Sequence, residues 1–266
     1  MQFSQAITRR PGANYRQGIT TVPLDRAPDH ARILEQHAAY VKTLVGLGLR
    51  VTELAPEHDF PDAYFVEDVA VMLAGAAVLT RPGAPSRLGE VARIAPVLKA
   101  FGDLEEIREP GLLDGGDVLQ AADHFFIGLS GRTNAEGARQ LGEIIEKRGF
   151  SWSTVPVAAA LHLKSGVNHV GDETLLVLAA YARVPAFADY SKILVSPQEA
   201  PAANTVAVNG TLLVPMGFPR TRKALEALGR PIIELDISEV IRMDGGLSCM
   251  SDRKSTRLNS SHVSQS

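Results

Sequence analysis

The sequence predicts a single α/β domain built as a five-bladed, pseudo-symmetric propeller of hairpin–helix–strand repeats. Three observations carry this expectation. Pairs of short apolar runs separated by a turn recur at a spacing of about 40–50 residues, the range of repeat architectures. Helical stretches fall between the pairs. The last run has no partner nearby, and the strand-like FSQAITR close to the N-terminus can supply one and close a ring. Two packed α/β domains are the alternative that the pattern allows.

The first pair is VAVML–AGA–AVLTR from Val69 and the second is DVLQ–AAD–HFFIGL from Asp117. The third is SGVNHV–GDE–TLLVLA from Ser165, and the fourth is NTVAV–NG–TLLVPM from Asn204. Asn209-Gly210 is a strong hairpin signal, because both central positions of such a turn need positive φ. The fifth run is GLSCM, from Gly246. Between the pairs, Asp29 to Val45 reads as a helix with Ile33, Ala38, Val41 and Val45 on one face. Thr133 to Lys147 opens with Thr133-x-x-Glu136, a capping-box pattern, and continues with Ala138, Leu141 and Ile145 before Gly149. A shorter helix runs from Thr221 to Leu228 and stops at Gly229. His162 lies in LHLKS, an alternating run that reads as strand. Lys254 to Ser266 is polar, Ser-rich and aperiodic. It reads as a disordered tail or a cloning scar, which leaves residues 1–253 as the folded domain.

Composition narrows the function classes. Apolar residues make up 45% and charged residues 21%, as in ordinary soluble proteins. The formal net charge is −3 with no basic stripe, so no nucleic-acid partner is expected. No apolar run reaches the ~18 residues that a membrane span needs, and no membrane partner is expected. The N-terminus carries no secretory signal, and the single cysteine fits a reducing compartment, so the expected location is cytoplasmic.

Acidic clusters recur at the start of a repeat's first strand. They are Glu67-Asp68, Asp114-Gly-Gly-Asp117 and Asp244-Gly-Gly246. Equivalent ends of pseudo-symmetric strands converge on one end of the axis, and carboxylates gathered there repel one another unless a cation binds. Each cluster alone is a good turn sequence; three in one register point to a site. The chain has no EF-hand loop, no HExxH, no CxxC and no ligand spacing among its histidines, so no metal is expected. A planar guanidinium, whose paired donors suit carboxylates, fits better. Arg87 and Arg132 follow the first and second hairpins, where they can clamp a substrate carboxylate. Taken singly, each reads as a surface arginine, just as Cys249 and His162 read as core residues. On three facing strand ends, Cys249, His162 and Asp114 form a nucleophile, base and orienter set.

The segments PDAYFVEDVAV, LTRPGAPSR, LDGGDVL, FFIGLSGRTNAEGA, STVPVA…LHLKS, AANTVAVN and DGGLSCMS together resemble the dimethylarginine dimethylaminohydrolases, within the guanidino-modifying superfamily. They run from about Ile19 to Ser251 in the family's order. The resemblance implies the five-bladed pentein propeller and one reaction, in which a free N-omega-methylated arginine and water give citrulline and methylamine or dimethylamine. It implies Cys249 as nucleophile, His162 as general acid and base, and Asp114 as orienter of the imidazole. Some family members carry Glu where this chain has Asp114. It places Glu67 and Asp68 on the guanidinium with Asp62 nearby, and Arg87 and Arg132 on the α-carboxylate. Ile19 and Met243 fall at the amino-acid end. Phe65 is the candidate apolar wall for the methyl groups, and Asp117 is expected to serve its turn. No cofactor is implied, the expected partner is a small-molecule substrate, and a homodimer is left open. An arginine deiminase or other guanidino-modifying enzyme, a non-catalytic binder of cationic amino acids and a purely structural propeller are the competing readings.

Overall fold

The computed structural model describes residues 2–21, 27–157 and 160–255. The chain enters through β1 (Phe3–Arg9), α1 (His30–Gly46) and β2 (Arg50–Leu54). Next come β3 (Ala70–Leu73), β4 (Ala76–Leu79), α2 (Glu90–Leu98) and β5 (Asp103–Glu106). The following unit is β6 (Val118–Ala121), β7 (His124–Leu129), α3 (Ala135–Glu146) and β8 (Ser151–Pro156). It is followed by β9 (Val167–Gly171), β10 (Thr174–Leu178) and β11 (Ser191–Val195), then by β12 (Val206–Val208), β13 (Thr211–Pro215), α4 (Pro219–Glu226) and β14 (Ile232–Leu235). A short α5 (Ser238–Ile241) and β15 (Ser251–Ser255) end the described chain.

These strands form five three-stranded sheets of one design. In each, the first strand pairs antiparallel with the second, and the second pairs parallel with the third. The fifth sheet has the same design with its members drawn from both ends of the chain. There β15 pairs antiparallel with β1, and β1 pairs parallel with β2, as ring closure by FSQAITR requires. First strands from all five sheets line a single cavity of about 800 Å³, so they surround a common axis. Middle strands such as β4 and β13 are buried along their whole length. This explains why they read as continuous apolar runs rather than alternating ones. Asn209 (φ 47°) and Gly210 (φ 87°) make the expected turn between β12 and β13.

Every first strand is preceded by a short 3-10 turn: Val66–Val69, Gly115–Asp117, Leu163–Ser165, Pro197–Ala203 and Ser248–Met250. These five turns lie at equivalent places around the axis, and four of them carry or adjoin the chemistry-bearing residues named above.

Several local expectations need correction. The buried stripe of α1 is Ile33, His37, Tyr40 and Leu44, whereas Ala38 and Val45 face solvent. The steps of four, three and four residues fit the helix better, and the Tyr40 hydroxyl gains a buried hydrogen bond to Ser251 Oγ at 2.7 Å. Asn134, not Thr133, caps α3 by accepting from Gly137 N at 2.8 Å. Thr133 is diverted to Asp114, whose N–H it accepts. The third repeat has no α-helix between β10 and β11. It has two 3-10 turns, with Pro185 opening the second, because the connection is short and proline lacks the N–H a continuing helix needs. GLSCM is turn rather than strand, and β15 begins only at Ser251. That strand takes in Lys254 and Ser255, which had been read as tail, while residues 256–266 lie outside the described residues. Among the described residues, no helix is long and apolar enough to cross a membrane.

Candidate active site

The turns bring most of the expected residues to one narrow cleft. Ile19, Asp62, Phe65, Asp68, Arg87, Arg132, His162, Met243 and Cys249 line it, joined by Leu161, Asp244 and Gly245. LHLKS is not a strand. His162 is extended (φ −133°, ψ 163°) and leads directly into the Leu163–Ser165 turn, which projects its ring toward the second repeat's acidic turn.

That acidic turn fixes the imidazole. His162 Nε2 meets Asp114 Oδ2 at 2.9 Å. Asp114 is fully buried and is itself held, with Gly83 N donating to its other oxygen at 2.8 Å and Thr133 Oγ1 accepting its N–H at 3.1 Å. The glycines between Asp114 and Asp117 are needed for closeness. A Cβ on Gly116 would come within 2.6 Å of His162 Nδ1, and one on Gly115 within 1.9 Å of the Glu67 carbonyl. Asp117 does more than serve its turn. Its two oxygens accept from Leu163 N (2.8 Å) and Ser130 Oγ (2.6 Å), anchoring the backbone next to His162.

The electrostatics follow from this crowding. Burial alone would pull the His162 pKa down. Asp68 at 3.9 Å from Nδ1, the hydrogen bond to Asp114 and the charge of Asp117 outweigh it and raise the pKa to about 9. The ring is therefore an imidazolium at neutral pH. Burial would raise Asp68, but His162 and Arg87 hold its carboxyl below the usual carboxylate range. Burial pushes the Cys249 thiol far up, and Glu67 and Asp68 push it further. Gly246 N, 3.4 Å from Sγ, and the Lys164 charge oppose that rise. These neighbours favour a neutral thiol, and a cation beside Asp68 would favour the thiolate.

The two arginines differ. Arg87 is 4% exposed, and most of its donors are engaged by the protein. It donates to Glu90 through Nε (3.0 Å) and Nη2 (2.8 Å), to the carbonyls of Phe65 and Asp62, and to Asp68 Oδ2. Arg132 is less committed: its Nη1 lies 3.6 Å from Asp114 Oδ2, and 18% of its side chain is exposed. Asp62 accepts from Ile19 N with both oxygens, at 3.1 and 3.2 Å, so it draws Ile19 to the cleft. Burial raises the Asp62 pKa against the pull of Arg87 and that N–H. Glu67 does not line the cleft. It sits behind the wall, facing the axial cavity, with Lys164 Nζ at 2.6 Å and Ser248 Oγ at 2.8 Å. Asp68, Asp114 and His162 also offer ligand atoms within 4.8 Å of one another. Their charges are met by Arg87 and by the mutual His162–Asp114 contact.

Lys164, Ser248, Glu90 and Asn204 were missed in the sequence. The Arg87-x-x-Glu90 spacing was a readable signal. So was Lys164, two residues from His162 and the only lysine or arginine between Arg148 and Arg183.

Fold and site together define an α/β-propeller hydrolase of the pentein kind, organised around a single cysteine. No family model matches the chain. It is 42% identical over 253 residues to N(G),N(G)-dimethylarginine dimethylaminohydrolase of Pseudomonas aeruginosa, covering 94% of this chain and 99% of that one. It is 36% identical over 255 residues to the Streptomyces coelicolor enzyme of the same name, covering 95% and 98%. The solved structure of a cysteine-to-serine variant of the Pseudomonas enzyme, complexed with citrulline, superposes with a TM-score of 0.92 at 41% identity, over 95% of this chain and 100% of that one. The N-terminal domain of ArgZ, a cyanobacterial arginine dihydrolase, shares the fold with a TM-score of 0.83 at 16% identity, over 96% and 98% of the two chains. The chain belongs to the dimethylarginine dimethylaminohydrolase family.

Proposed function

We propose that the protein hydrolyses free N-omega-methylated arginine to citrulline and methylamine or dimethylamine, with Cys249 as nucleophile. The observation that carries this reading is the cleft in which Cys249, Asp68 and a His162 ring fixed by Asp114 meet. The substrate guanidinium lies against Asp68, with Glu67 behind the wall adding negative charge. Its own positive charge offsets the carboxylates that keep the thiol protonated, so binding promotes the thiolate.

Thiolate Sγ attacks the central guanidino carbon and an S–C bond forms. His162 donates its proton to the departing amine as the C–N bond breaks, leaving a covalent S-alkylthiouronium. A water then gives a proton to His162 and attacks the same carbon. The C–S bond breaks as the remaining hydroxyl proton passes to solvent, citrulline leaves with its carbonyl formed, and the thiolate returns beside a protonated His162. No step requires a metal. Arg132, with an uncommitted face at the rim, holds the α-carboxylate, while Arg87 supports Asp68 and the 62–65 loop. Ile19 and Met243 bound the amino-acid end, and Phe65 supplies an apolar wall for the methyl groups.

The test is citrulline release from asymmetric dimethylarginine in the presence of EDTA, beside a Cys249→Ser control. Citrulline from the wild type alone supports the reading. Turnover of plain arginine instead of the methylated substrate moves the protein to the deiminases, and silence on both substrates refutes the proposal.

A further inference from the structure

Four of the five 3-10 turns deliver expected functional residues to the site. The fourth, Pro197–Ala203, delivers none of them, yet it stands at the same register around the axis. Directly after it comes Asn204, in the AANTVAVN segment. We propose that Asn204 is a positioning residue for the nucleophile: it grips Ser248 at both N–H and hydroxyl, and thereby fixes Cys249 on one side and Glu67 on the other. This inference rests on the reading of Cys249 as nucleophile.

Asn204 is 5% exposed. Its Oδ1 accepts from Ser248 N at 2.8 Å, and its Nδ2 donates to Ser248 Oγ at 2.9 Å and to the Lys164 carbonyl at 3.0 Å. A backbone N–H can only donate, so the amide orientation is fixed by its partners. Because Nδ2 donates to Ser248 Oγ, the serine's own proton is left for Glu67 Oε2, 2.8 Å away. Glu67 Oε1 in turn accepts from Lys164 Nζ, and the loop of contacts closes through the Lys164 carbonyl onto Asn204. Side chains or backbone from four blades are thereby locked into one ring.

The cysteine turn also rests on the amide itself. A Cβ on Gly246 would lie 2.4 Å from Asn204 Cγ, and Gly246 N is the group 3.4 Å from Cys249 Sγ. Asn204 therefore supports the entry to the turn at two places, Gly246 and Ser248. Misplacement of a reacting group by about 1 Å costs on the order of 100-fold in rate.

Asn168 provides the control. It is equally buried and also donates to the Lys164 carbonyl (2.6 Å), but its second bond goes to the Ala203 carbonyl and it makes no bond to Ser248. The experiment measures kcat and KM on asymmetric dimethylarginine, together with melting temperature, for wild type, Asn204→Ala, Asn204→Asp, Ser248→Ala and Asn168→Ala. Expected is a fall in kcat of about tenfold or more for both Asn204 variants and Ser248→Ala, with KM within a few-fold. Asn168→Ala should lose melting temperature but keep kcat within about twofold. Asn204→Asp keeps the acceptor and the size while removing both donated bonds, so it carries the test if the alanine variant does not fold. Equal kcat losses in Asn168→Ala and Asn204→Ala, or undiminished kcat in Asn204→Asp, overturn the proposal. A wild type that forms no citrulline would sink the site reading beneath it, which keeps the two failures apart.

Discussion

The imidazolium of His162 should make the ligand-free protein less stable as pH rises. Its folded pKa of about 9 lies above the ordinary 6.5 because Asp68, Asp114 and Asp117 surround a buried ring. For a group whose pKa is raised on folding, the stabilisation is fully present below the unfolded value and disappears as pH passes the folded one. The difference between 6.5 and about 9 corresponds to roughly 3 kcal/mol of stability, all of it lost across that window. The perturbation is pH, and the measurement is urea unfolding of the wild type and His162→Asn at intervals from about pH 6 to pH 10. Subtracting one curve from the other removes other titrating groups, including the Cys249 thiol. The wild-type advantage should shrink by roughly 3 kcal/mol as pH rises through the window. An advantage that stays level, or grows with pH, would refute the argument that the three carboxylates hold the ring protonated. The result bears on turnover, because a ring charged at neutral pH is already the acid that the departing amine needs.

Other outcomes follow from the same geometry. Arg87→Met strands Asp68 and Glu90 in a buried setting, so unfolding titrations should show a loss of about 3–5 kcal/mol with activity falling alongside. Arg132→Met should instead raise KM by about tenfold or more with little change in melting temperature, because that side chain is partly exposed and only loosely paired. A KM unmoved by that change would remove Arg132 from the carboxylate site. Asn209→Ala deletes bonds to Phe3 N, Phe3 O and Leu47 O and forces alanine to positive φ, so chemical denaturation should register a loss of roughly 2–4 kcal/mol.

The blades were legible in the sequence because their middle strands are buried on both faces and their turns use Gly, Asn and Asp. Runs such as TLLVP stand out without any knowledge of what they pack against. The functional turns were not legible as structure. A 3-10 turn of three residues has no periodicity to detect, and its residues point where long-range packing sends them. LHLKS therefore read as a strand, although it is the approach to a turn. The stripe of α1 was misjudged for a related reason: hydrophobicity alone favoured Ala38 and Val45, while burial followed Tyr40 and its bond to Ser251. Identity of the site residues was readable from motif and register. Allegiance was not: that Arg87 belongs mainly to Asp68 and Glu90, or Glu67 to Lys164, depends on pairs brought together across repeats.

The fifth sheet joins β1 to β15, strands that the ribosome makes at opposite ends of the described chain. Cys249 lies in the turn just before β15, and the wall behind it is assembled from residues made much earlier, among them Glu67 and Lys164. During synthesis the four earlier blades can form while the thiol has no neighbours to tune it. Cys249 gains its carboxylate neighbours only when the last strand finds the first. Moving the break in the chain to the solvent-facing turn at Gly217 by circular permutation would make closure of that sheet an early, local event. The cysteine would then meet its carboxylates before the ring is complete.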